Sequence, residues 1–347
     1  MFSEFLNTES SWEKLKNSTC PVAVYGTGNG ADKVFDEFDR LGIVPQYVAA
    51  SDSFARNRTF HGYKVLPLSE LRQTESKFTV ALCFASARED VIENIKSLSQ
   101  RQRVVMPSVP VYGDEIFNKD YLKMYLAEIN KAYEKLTDEK SKEVFKNLIE
   151  FQITGDLNLM FGCETPKEEA LSLLGLSKNE NYLDLGAYRG DTVDELINFA
   201  GGYAEITALE PDTRSFRKLC EHCKCMKNTT LLNCAVSNKC ETLFFSGNKG
   251  RGGGLNAKGK EIKAVTVDSL NKPFTYIKAD IEGAEMQMLN GAVNTLKHKP
   301  KLNISAYHRS EDIFSLVNRI YEINPEYEIY IRHHRHISFW DTNLYCK

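Results

Sequence analysis

The sequence predicts an α/β protein in which a mostly parallel, Rossmann-like sheet with one antiparallel strand follows a smaller Rossmann-like α/β domain and a helical connector. Three observations carry that expectation. Short apolar runs alternate with runs of helical period along the chain. Two of the apolar runs, AVYGTGNGA at 23–31 and YLDLGAYRGDT at 182–192, pass directly into a glycine turn and a polar helix start. The last two strand-like runs are joined by a turn alone, which only an antiparallel pair permits.

The elements follow in order. VAVYG leads into ADKVFDEFDRLG, where Val34, Phe35, Phe38 and Leu41 keep helical spacing and Gly42 is the terminator. Residues 45–51, FTVALCFA at 78–85 and a helix carrying Val91, Ile95 and Leu98 continue the alternation to Val104 and Val105, giving a domain over 1–112. From Asp114 the chain turns to charged helix with a stripe of Leu122, Tyr125, Leu126, Ile129, Tyr133 and Leu136, a connector over 113–153. The third segment, 154–347, opens with TPKEEALSLLG. Here Thr165 as N-cap, Pro166 at the first helical position and Glu168 form a capping box, and Gly175 ends the helix. YLDLG, ITALE, TLLNCAVS, YIKAD and KLNISAYH then read as strands, and YEIYIRHH with SFWDTNLYC as the closing hairpin. Ligands of such sheets bind at the carboxyl ends of the strands, where the strand order reverses.

Composition narrows the function. The 347 residues are 42% hydrophobic and 26% charged, with 44 basic against 47 acidic side chains. A net charge of −3 offers no bulk attraction to nucleic acid or an anionic membrane. The start MFSEFLNTESSWEKLKN lacks an apolar core segment, and no apolar run reaches about 18 residues, so a cytoplasmic protein without a membrane span is expected. Nine cysteines without regular spacing read as reduced thiols.

The glycine turn at 186–190 is flanked by acids. Asp184 ends its strand and Asp191 opens the following helix, a pair that would repel the pyrophosphate such a helix start otherwise attracts. They suit a cationic nucleoside with an amino group and a sulfonium, and S-adenosylmethionine is such a ligand. Glu210, ending the next strand in ITALEPD, is positioned to grip ribose hydroxyls. Asn233, Cys234, Ala235 and Val236 end the third strand, where an adenine ring needs a flat apolar neighbour. The competing account is a glycine turn that merely packs.

These residues carry a resemblance. DLGAYRGDT, ALEPD, NCAVSN and above all YIKADIEGAEMQMLNGA at 276–292 make the segment 154–345 similar to the FkbM-type methyltransferases, S-adenosylmethionine-dependent O-methyltransferases with the class I methyltransferase fold. The resemblance implies that Asp184, Gly186, Gly190, Asp191 and Glu210 contact the cofactor, together with Ala187, Tyr188 and Thr192 of the same turn, Pro211, and Asp280. It implies that Asp280, Glu282 and Glu285 line the substrate side, and that the methyl acceptor is a sugar hydroxyl of a glycan or its nucleotide-linked precursor. Tyr188 stands where the family often has Asn, and Tyr307-His308 where an acid is common.

Read from the residues alone, Asp280 ends the fourth strand beside the methyl donor, or caps a helix. Transfer to oxygen requires the hydroxyl to lose its proton as it attacks, so a positioned acceptor is needed. His308, ending the adjacent strand, shares that task with Asp280 or is a satisfied structural histidine. The two would instead hold a divalent metal if a third ligand existed, but none appears at metal-type spacing, and no metal is expected. GNKGRGGGLN at 247–256 reads as a loop over the site with Arg251 as a substrate contact, or as a solvated hairpin. CEHCKC at 220–225 lies on a helix without a second cluster, which argues against zinc. RHHRH at 332–336 falls at the closing turn and reads as solvated.

In the N-terminal domain Gly26, Gly28 and Ala31 satisfy G-x-G-x-x-A, and Asp52 follows the next strand as a ribose-binding acid would. Nucleotide or nucleotide-sugar binding and a docking or homo-oligomerisation role both remain for it. Two alternatives to methyl transfer therefore stand: a non-catalytic nucleotide-binding scaffold, and an NAD-dependent sugar-modifying enzyme.

Overall fold

The computed structural model of the chain describes residues 1–246, 254–255 and 260–347. They form two compact units, the first made of 1–130, 143–164 and 333–340 and the second of 131–142, 165–332 and 341–347. The stretch 113–153 is shared between the two.

In the first unit, strands β1 (Val22–Tyr25), β2 (Tyr47–Ala50), β3 (Thr59–Phe60), β4 (Tyr63–Pro67), β5 (Thr79–Leu82) and β6 (Arg103–Val105) form one sheet in the order β3-β4-β2-β1-β5-β6. Only β3 runs antiparallel to its neighbour. All four residues of β1 are buried, as both faces of a parallel sheet require. The helix Asn29–Leu41 packs Val34, Phe35 and Phe38 into this core and ends at Gly42 as its pattern predicts. Burying each such phenylalanine contributes roughly 1.5–3 kcal/mol.

The glycine loop of this unit is filled by its own chain. A Cβ on Gly30 would lie 2.9 Å from the Cys83 carbonyl oxygen, and one on Gly26 3.2 Å from the Phe84 ring. Asp52 Oδ1 accepts the Ser69 N–H at 3.1 Å, so the expected ribose acid already serves the fold. Beyond β5, Ile337 N donates to the Ser86 carbonyl at 2.8 Å and Arg335 pairs with Glu89 at 2.6 Å. Residues 333–340 thus lie along this end of the sheet.

The second unit holds β7 (Asn181–Leu185), β8 (Glu205–Leu209), β9 (Thr229–Leu232), β10 (Ala235–Val236), β11 (Glu241–Ser246), β12 (Gly254–Leu255), β13 (Lys260–Val265), β14 (Tyr276–Ala279), β15 (Lys301–Ser305), β16 (Ile329–His333) and β17 (Thr342–Cys346). Seven of them form the order β16-β17-β15-β14-β7-β8-β9, and β10 to β13 form a separate four-stranded sheet. Strands β9, β8, β7, β14 and β15 are mutually parallel, while β17 is antiparallel to β15. Strand order reverses between β7 and β14, which puts the ligand crevice at the carboxyl ends of these two strands. Tyr182 and Tyr276 stack at 4.9 Å beneath that crevice.

Two local expectations change. The helix of TPKEEALSLLG runs Lys167–Ser172 with Pro166, not Thr165, as N-cap. Four of the five residues of RHHRH are buried rather than solvated: Arg332 is 3% exposed and His333, His334 and His336 are buried as well, while Arg335 is exposed and β16 itself ends at His333. Residues 131–142 cover this strand, with Ile331 N donating to Ser141 Oγ and Arg332 pairing with Asp138 at 2.5 Å. Among the described residues, no helix is long and apolar enough to cross a membrane.

Candidate active site

The loop after β7 is shaped by protein contacts. Gly186 has φ +82°, and a Cβ there would sit 2.0 Å from the Asp280 carbonyl oxygen. Gly190, with φ +99°, would press a Cβ to 2.6 Å from the His222 ring. Both glycines therefore let the turn pass neighbouring protein atoms. Between the glycines Ala187 is buried, while Tyr188 is exposed with φ +46° and the Arg189 guanidinium 4.6 Å over its ring. Asp191 opens the helix Asp191–Ala200 at the surface.

Asp184 is completely buried at the end of β7. Thr192 Oγ1 donates to its Oδ2, whereas Oδ1 has no hydrogen-bond partner. Burial raises the Asp184 pKa, against the opposing pull of the Lys278 ammonium and the Thr192 hydroxyl. Glu210 follows β8, and its two oxygens accept the Tyr188 N–H at 2.8 Å and the Asp212 N–H at 2.7 Å. Each oxygen keeps a lone pair for a further donor. Burial pushes the Glu210 pKa up to about 7 despite those two N–H groups. Pro211 is next in the chain, and Asn233 Nδ2 donates to the carbonyls of both Glu210 and Pro211. Ala235 and Val236 belong to the smaller sheet, paired with Ala264 and Val265, and are 8% and 5% exposed. They offer an adenine ring little surface.

Asp280 follows β14, its side chain 37% exposed. Lys278 Nζ lies 4.0 Å from Asp280 Oδ2, and Tyr307 donates to Oδ1 at 3.4 Å. Burial would raise the Asp280 pKa, but the Lys278 and His308 cations outweigh it and hold the carboxyl below its usual range. His308 is buried, with Nε2 3.4 Å from Asp280 Oδ1 and 3.7 Å from Glu282 Oε2. Its Nδ1 lies 2.9 Å from Glu285 Oε1, an ion pair between two buried side chains. Burial would lower the His308 pKa, but Glu285, Asp280 and Glu282 raise it to about 10. An imidazolium donates through both ring nitrogens and has no lone pair to accept a proton. Arg251 lies outside the described residues.

Asp280, Glu282, Glu285 and His308 are thus brought together, and Asp184 is linked to them electrostatically through Lys278. Lys278 was missed in the sequence, although a lysine inside YIKAD is a signal: it is 9% exposed, and buried lysines are almost always paired. The pairing of His308 with Glu285 had no local signal, since the two come from different elements.

The order β9-β8-β7-β14-β15-β17-β16, with acids at the ends of β7, β8 and β14, is that of the class I methyltransferase fold. Residues 184–339 match the methyltransferase FkbM domain family, and this part of the chain is a methyltransferase FkbM domain. Among solved structures, the methyltransferase FkbM from Methylobacillus flagellatus KT is similar in fold, with TM-score 0.72 at 20% identity, covering 99% of this chain and 92% of its own. Fibrillarin from Aeropyrum pernix, in complex with natively bound S-adenosyl-L-methionine, aligns at TM-score 0.35 and 15% identity over 52% of this chain and 74% of its own, too remote to carry an argument. Comparison with curated proteins finds no match.

Proposed function

We propose that this chain binds S-adenosylmethionine at the carboxyl ends of β7 and β8 and transfers its methyl group to a hydroxyl oxygen. The observation that carries the reading is Asp184 Oδ1, an acceptor buried without a partner beside the crevice. An unpaired buried acceptor costs roughly 1–3 kcal/mol until a donor reaches it. Glu210, with lone pairs left on both oxygens, suits the two hydroxyls of a ribose. Bound S-adenosylmethionine supplies an electrophilic methyl on a sulfonium. Asp280 orients the acceptor hydroxyl and takes its proton as the new oxygen–carbon bond forms and the sulfur–carbon bond breaks. Lys278 and Tyr307 hold the Asp280 carboxylate in place. For the acceptor, the reading is a sugar hydroxyl of a glycan or its nucleotide-linked precursor, and nine free cysteines support a reducing, cytoplasmic setting.

Thermal unfolding tests this reading. At a hundredfold excess over its dissociation constant, S-adenosylmethionine should stabilise the chain by about 2.7 kcal/mol. Asp184→Asn should abolish the shift while leaving the ligand-free protein folded. Stabilisation by NAD alone, with none from S-adenosylmethionine, would sink the proposal.

A further inference from the structure

We infer that Lys278 is a shared counter-ion of the crevice, a positioning residue that keeps both Asp184 on the cofactor side and Asp280 on the acceptor side ionised; this rests on the methyltransferase reading above. Strand register places it between the two acids. Lys278 pairs with Asp184 across β14 and β7 and with Asn303 across β14 and β15, and Asp280 comes two residues later in the chain, so the four share one face of the sheet. On the inner side that face is closed by the stacked rings of Tyr182 and Tyr276. Lys278 is 9% exposed and Asp184 is fully buried. Lys278 Nζ stands 4.0 Å from Asp280 Oδ2, and Asp184 Oδ1 has no hydrogen-bond partner, so the lysine serves both carboxylates by its charge rather than by hydrogen bonds.

The surrounding charges make this cation matter most for Asp184. Asp280 has a second cation, since His308 Nε2 lies 3.4 Å from its Oδ1, and that imidazolium is itself compensated by Glu282 and Glu285. Around Asp184 lie Lys278, the like-charged Asp191 from the helix after the turn, and the hydroxyls of Thr192 and Tyr182. Burial would lower the Lys278 pKa, but Asp280 and Asp184, followed by Asp191 and Glu195, outweigh it and raise it. The lysine therefore stays charged. Without it, the burial that raises the Asp184 pKa would lose the ammonium that opposes it. A protonated Asp184 offers no charge to the amino group of S-adenosylmethionine. Lys278 thus extends cofactor binding to lower pH, although it also sets a cation near a cationic ligand.

The test is calorimetric titration of S-adenosylmethionine into the full-length chain, in a Glu210→Gln background that removes the titration of that carboxylate. Each affinity is read against this parent at the same pH, so that titration of the ligand's own amino group cancels. Adding Lys278→Met should weaken binding by about tenfold or more at pH 6, because protons then compete for Asp184, and leave it equal or tighter at pH 8, where one cation fewer opposes the ligand. A merely structural defect would weaken binding alike at both pH values. Adding Asp280→Asn instead, at a position 37% exposed, removes the competing carboxylate and should tighten binding at pH 5 by about threefold. If the Lys278→Met protein fails to fold, this second variant decides. Equal losses at pH 6 and 8 from Lys278→Met, or no gain from Asp280→Asn, overturns the proposal. Those results leave cofactor binding by the wild type standing and reject only the role of Lys278, whereas no binding by the wild type at either pH rejects the methyltransferase reading itself.

Discussion

Replacing Gly186 by alanine tests whether the turn after β7 is set by the protein or by its ligand. At φ +82° an L-residue costs roughly 1–2 kcal/mol. The added Cβ would also lie 2.0 Å from the Asp280 carbonyl oxygen, a backbone atom that yields only by shifting the end of β14. Such overpacking adds roughly 1–3 kcal/mol, for a total of about 2–5 kcal/mol. At about 2–4 °C per kcal/mol for a unit of this size, the melting temperature of the C-terminal unit should fall by about 4–20 °C. Gly201→Ala supplies the control, because that glycine has φ +75° but nothing within 4 Å of its Cβ, so only the conformational part remains. Scanning calorimetry of both variants without ligand gives the comparison. Because the clash displaces the carboxylate beside the acceptor, methyl transfer should drop by up to about a hundredfold. Equal melting temperatures for the two variants would refute the reasoning.

Four further outcomes are expected. Glu210 grips ribose hydroxyls only as the carboxylate, so with its pKa near 7 S-adenosylmethionine affinity should rise by about tenfold between pH 6 and 8, and Glu210→Gln should flatten that profile. In the ligand-free protein the same raised pKa acts in the opposite sense: its contribution is present at low pH and declines as pH rises from 4.5 to about 7, which chemical denaturation at each pH would show. Asp138→Ala strands the Arg332 cation, whose side chain is only 4% exposed, and should cost about 3–5 kcal/mol; Arg332→Met leaves a partner that is 34% exposed and should cost clearly less. Brief alkylation read by mass spectrometry should label Cys240 first, because hydrogen bonds from Ser269 and Thr266 lower its pKa at an exposed position. Cys83 and Cys346, pushed up by burial, should label last; rapid native labelling of Cys83 would contradict the packing around β5.

Much of this molecule is written in local pattern. Alternation of apolar strand and helix periods predicts both parallel sheets, the turn-linked ending predicts β17 as the antiparallel strand, and the position of Asp184, Glu210 and Asp280 just at strand ends predicts where the crevice lies. All of these depend on neighbours a few residues apart, which a sequence displays directly. Tertiary structure decided what distant residues do to one another. Arg332 reads as solvated because its cover, Asp138 and Ser141, comes from a remote stretch. The approach of the Asp280 carbonyl to Gly186 comes from a distant strand and leaves no mark on the local pattern. Glu285, Asp280 and Glu282 surround His308 and raise its pKa to about 10, because a pKa is fixed by the charges within a few ångströms and by burial, neither of which sequence spacing conveys.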